Sequence, residues 1–157
     1  MLPDLSWLCE IDEEAPFTDH GGATVVSDFY SVEFGNFVRM TGGPFARMSW
    51  IDMKAASWSS LVLSLRTARL LLTGRHHAVY AACKARIPFV ALAGNTHKIE
   101  GLIASAGVDI PVCRYPSELP AAVKAARARQ AEYAALFDWL DAQPRWSAEV
   151  LCRGPGA

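Results

Sequence analysis

At 157 residues the chain has the length of one ordinary domain and can bury a real core. Apolar residues at 52% against 20% charged exclude an intrinsically disordered chain. A net charge of −1 argues against a general nucleic-acid binder, which carries a strong basic excess.

Residues 1–22 are acidic and aperiodic, contain Pro and Gly, and read as a loosely ordered lead-in. A first short strand is expected at 23–27. The aromatic-rich stretch 28–40 is ambiguous and reads as a helix following that strand. Thr41-Gly42-Gly43-Pro44 breaks the chain, and 45–51 reads as another strand. Trp58, Leu61, Val62 and Leu65 stand at i, i+3, i+4 and i+7, the stripe of an amphipathic helix over 57–67, with Ser57 as its N-cap. Then follow a buried strand at 70–73, an alanine-rich helix at 76–84 and a strand at 87–92 whose Pro88 is tolerated near its start. Ile99, Leu102, Ile103 and Ala106 mark the next helix, with Gly107 where a C′ glycine belongs. A last strand is expected at 108–113, and one long helix at 120–143, ended by Pro144. Helices alternating with short apolar strands imply a single Rossmann-like, three-layer α/β domain with a mostly parallel sheet. That domain spans 23–145, and 146–157 is a frayed tail.

Four cysteines, Cys9, Cys83, Cys113 and Cys152, form no C-x-x-C pair, so neither a zinc ribbon nor a thioredoxin-type motif is indicated. Cys83 falls in an apolar helical pattern and reads as a buried thiol. The first residues have neither a basic n-region nor an apolar h-region, and no run reaches the roughly 18 residues of a membrane span, so a cytoplasmic protein is expected. No G-x-G-x-x-G or Walker A pattern occurs.

The chemistry concentrates at two strand-to-helix turns. Thr73-Gly74-Arg75-His76-His77 follows one apolar run, and Gly94-Asn95-Thr96-His97-Lys98 follows the next. In a parallel sheet such turns share the edge where ligands bind, and helix N-termini favour anions. Arg75 offers a planar donor fork for carboxylate or phosphate. His77, in a first helical turn, can donate to phosphate or move a proton near neutral pH. Lys98 sits where a cation opposes the helix dipole, which a bound anion or plain solvation explains. Each group also has a structural reading: Arg75 as an ion-pair partner, His76 and His77 as hydrogen-bonded structural residues, His97 and Lys98 as a polar helix cap. His20, in a Gly-rich loop, reads as a surface residue. His76 and His77 are adjacent with no Cys or carboxylate at ligand spacing, so no metal is expected.

In their order and spacing these residues resemble the polysaccharide pyruvyl transferase family. That family has an R-L-H motif after an apolar strand, an alanine-rich helix, a G-[IV]-P-hydrophobic strand, and a Y-D-P-K-like turn opening a helix with G-[FL]. Here the series is Gly74-Arg75-His76-His77, residues 78–85, Arg86-Ile87-Pro88-Phe89-Val90-Ala91, and Asn95-Thr96-His97-Lys98 with Gly101-Leu102, a match concentrated over residues 60–112. His76 replaces the usual Leu, and Asn95-Thr96-His97 replaces Y-D-P. The resemblance implies one half, the carboxyl-terminal one, of a glycosyltransferase-B-like fold. It implies transfer of a pyruvyl group from phosphoenolpyruvate to a cell-surface polysaccharide sugar as a ketal. It further implies that Arg75 and His77 contact phosphoenolpyruvate, with Gly74, His76, Asn95, Thr96, His97 and Lys98 completing the substrate site. No cofactor is implied beyond the donor. A homodimer or partner chain would supply the missing half of the cleft.

Two other readings share these residues. A nucleotide-sugar glycosyltransferase half-domain would use the same groups for a diphosphate. A non-catalytic assembly domain would present Trp7, Trp50, Trp139 and Trp146 to a partner, although Trp residues on helix stripes more often serve the core.

Overall fold

The computed structural model describes residues 5–27, 34–36, 40, 48–93 and 97–143. Five parallel strands form one sheet in the order β2-β1-β3-β4-β5: β1 Thr24–Val26, β2 Ser49–Trp50, β3 Leu70–Thr73, β4 Phe89–Leu92 and β5 Val112–Cys113. The helices are α1 Trp58–Arg66, α2 His76–Ala85, α3 Lys98–Ala106, α4 Leu119–Ala128 and α5 Gln130–Asp141. The protein is thus α/β with a Rossmann-like, wholly parallel sheet. Most of the expected 28–40 helix, the first residues of the expected 45–51 strand, the 146–157 tail, and Asn95 and Thr96 lie outside the described residues.

Apolar content dictates where each strand sits. Every residue of β1, β3 and β4 is buried, as central parallel strands covered on both faces must be. The two residues of β2 are exposed at the sheet edge. Registers align Val26 with Leu72 and Thr73 with Ala91, so β1, β3 and β4 end at one level. Because β2 lies on one side of β1 and β3 on the other, the strand order reverses between β1 and β3, the place where doubly wound sheets open a crevice.

Local signals account for most helix ends. Ser57 caps α1, its hydroxyl accepting from the Ser60 amide at 3.2 Å. Gly107 ends α3 in the left-handed region, φ +68°. Arg86 ends α2 in the same region at φ +56°, a conformation that favours glycine, and its guanidinium bridges Asp138 (2.7 Å) and Asp141 (2.9 Å).

The expected single helix over 120–143 is two helices. The break is Arg129, at φ −96° and ψ 39°, whose guanidinium holds the Asp109 carbonyl and carboxylate, each at 2.7 Å. The Gln130 side-chain Nε2 donates to the Ala126 and Arg127 carbonyls at the break. The new direction of α5 carries Tyr133, Leu136, Phe137 and Leu140 into the core.

The lead-in is held along α1 and α2. Asp12, Thr18 and His20 donate backbone amides to the hydroxyls of Ser59, Ser64 and Thr67. Trp7 is buried near Tyr80, and the Lys84 ammonium lies 4.8 Å from its ring centre. Trp139 is partly buried against the core, so of the described tryptophans named above only Trp50 is exposed, 40%. Cys83 and Cys113 are buried free thiols, and Cys9 is exposed.

Candidate functional site

At the carboxyl end of β3, Thr73 and Gly74 are buried and Arg75 stands half-buried as the N-cap residue of α2, in extended conformation. His76 and His77 open the helix, their ring centres 3.9 Å apart and their planes inclined by 38°. His76 is half-buried and His77 exposed. The N-cap residue of α2, Arg75, makes no side-chain capping hydrogen bond, in contrast to Ser57 on α1. The positive end of the α2 dipole faces the turn that carries Arg75.

The second helix start follows β4. β3 and β4 are hydrogen-bonded parallel neighbours, so their carboxyl ends, at Thr73 and Leu92, lie side by side. His97 is the N-cap residue of α3 and Lys98 its first residue, both exposed, and the His97 side chain makes no capping hydrogen bond. The His97 ring lies 3.8 Å from the Glu100 carboxylate, an interaction of surface groups at the helix start.

Gly74, Arg75, His76 and His77 are thus contiguous at one turn, with His97 and Lys98 at the neighbouring one. Among the described residues no three His, Cys, Asp or Glu side chains gather as a metal site, and no helix is long and apolar enough to cross a membrane.

One buried pair at this edge escapes a sequence reading. Ser27 and Thr73 are fully buried, and Ser27 Oγ donates to Thr73 Oγ1 at 2.6 Å. Their only signal in the sequence is that each is a hydroxyl residue where an apolar run stops. His20, expected on the surface, is half-buried at a cleft beside α1 that Trp50 and Asp52 also line, and its Nε2 is buried without a hydrogen-bond partner. Desolvation pulls its pKa down, with Asp19 opposing. No protein-family model and no curated protein matches the chain.

Proposed function

We propose that the chain is a polysaccharide pyruvyl transferase-like domain that binds phosphoenolpyruvate at the β3–α2 turn. The observation that carries this reading is that two helices start beyond the carboxyl ends of two neighbouring parallel strands, one bearing Arg75, His76 and His77 and the other Lys98. Phosphoenolpyruvate presents a carboxylate and a phosphate and needs two cationic grips. Arg75 holds one anion as a fork, and the helix amides with Lys98 hold the other. Protonation of the methylene carbon makes C2 electrophilic. Two hydroxyls of one sugar then add in turn, phosphate leaves with the C2–O bond pair, and a ketal remains. His77 serves as a phosphate ligand or as the general acid. A second domain facing this one would present the sugar.

Calorimetric titration with phosphoenolpyruvate, with inorganic phosphate and uridine diphosphate as controls, tests this. Specific binding that Arg75→Ala abolishes supports the donor site. Binding of uridine diphosphate in place of phosphoenolpyruvate would move the reading to sugar transfer from a nucleotide donor.

A further inference from the structure

Thr73 Oγ1 accepts two hydrogen bonds, from Ser27 Oγ at 2.6 Å and from the Arg75 backbone amide at 3.0 Å. A hydroxyl oxygen has two lone pairs, and both are taken. One buried atom therefore ties β1, β3 and the N-cap residue of α2 together. Register brings the pair into contact: Val26 is aligned with Leu72, and the Ser27 amide donates to the Leu72 carbonyl at 3.0 Å. The link spans the point where the strand order reverses.

We propose that Thr73, tethered by Ser27, is a positioning residue that sets the Gly74–Arg75 turn before any ligand arrives. The proposal rests on the anion-site reading above. Arg75 has a long, rotamer-rich side chain on a turn two residues beyond the strand. Unless its backbone is held in place, binding an anion must also order the turn, and that cost is subtracted from affinity. A hydroxyl at Thr73 removes the cost in advance by fixing the amide from which the guanidinium and the first turn of α2 extend. Ser27 in turn restrains the Thr73 hydroxyl from the neighbouring strand. Valine has nearly the shape of threonine and lacks the oxygen, whereas serine keeps the oxygen and lacks the methyl group.

The test compares Thr73→Val, Thr73→Ser and Ser27→Ala with the unsubstituted chain. It measures phosphoenolpyruvate affinity by calorimetry, Arg75 amide exchange by NMR without ligand, and thermal stability. The expected result is about tenfold weaker binding and about tenfold faster Arg75 exchange in Thr73→Val. Thr73→Ser should restore both to within about twofold even where its melting temperature falls, because affinity follows the oxygen and stability also follows the methyl group. Unchanged affinity and exchange in Thr73→Val overturn the proposal. If that variant does not fold, Ser27→Ala decides: faster Arg75 exchange supports the tether, and unchanged exchange overturns it. If the unsubstituted chain binds no phosphoenolpyruvate, the anion-site reading fails, while the exchange rates still decide whether Thr73 sets the turn.

Discussion

The phenolic hydroxyl of Tyr133, on α5, donates to the backbone carbonyl of Phe89, the first residue of β4, and the two rings meet edge to face with centres 5.3 Å apart. Both residues are buried, so α5 is hydrogen-bonded to the strand that precedes α3. Removing the hydroxyl leaves that carbonyl without this donor. Tyr133→Phe should cost about 1–2 kcal/mol in urea-induced unfolding. Tyr133→Ala adds a cavity and should cost about 3–5 kcal/mol.

Arg75 and Lys98 differ in burial and should differ in weight. Arg75 is half-buried at the end of β3, and Lys98 is exposed at the start of α3. Arg75→Lys keeps the charge and loses the fork, so phosphoenolpyruvate affinity should fall at least about tenfold. Lys98→Ala should weaken binding by no more than about fivefold, with the loss shrinking as salt is raised. Calorimetry at two ionic strengths checks both values.

His20 predicts a pH dependence of stability. Desolvation lowers its folded-state pKa below the ordinary 6.5. The unfolded chain then binds the proton more readily than the native one, so stability should fall as pH drops below about 6.5 and level off once the native imidazole is also protonated. Above that range His20 contributes no slope. Denaturant titrations between pH 7.5 and roughly 5 should show a shallower acid-side decline in His20→Gln than in the unsubstituted protein; identical slopes would remove His20 as the source.

The thiols should divide by burial. Burial pushes the Cys113 thiol up to about 11, with Glu118 adding to the shift, and burial raises Cys83 further, with Asp141 adding to it. Thiolates react and thiols do not. At pH 8, iodoacetamide should label Cys9 within minutes and leave Cys83 and Cys113 unmodified until denaturant is added. Peptide mapping by mass spectrometry reads the sites.

Arg86 has a conformation suited to glycine and a side chain that forms two exposed ion pairs. Exposed pairs contribute little, and left-handed backbone costs a non-glycine residue about 1–2 kcal/mol. Arg86→Gly should therefore stay within about 1 kcal/mol of the parent in chemical denaturation, while Arg86→Ala, which keeps the strain and loses the pairs, should be the less stable of the two.

Much of the fold was legible because its signals are local. The Trp58, Leu61, Val62, Leu65 stripe with Ser57 before it specifies α1, and a fully apolar run that stops at Thr73 specifies β3, since burial period and capping act within a few residues. Gly107 needed nothing beyond its own lack of a Cβ to end α3. Likewise, apolar strands alternating with helices already required parallel neighbours, and thereby put the turns of Arg75 and Lys98 on one edge. Contacts between distant residues were not legible. The Arg129 break depends on Asp109, twenty residues earlier, and α-helical propensity alone runs straight through it. The lead-in looked loose because its residues have no period, yet its amides find the hydroxyls of α1. Sequence by itself determined most of the described elements and which charged groups stand at the two turns, because both follow from neighbours along the chain. Only the tertiary structure decided that β1 lies beside β3 and that Ser27 meets Thr73 beneath Arg75, because strand order and register bring together residues that no local pattern connects.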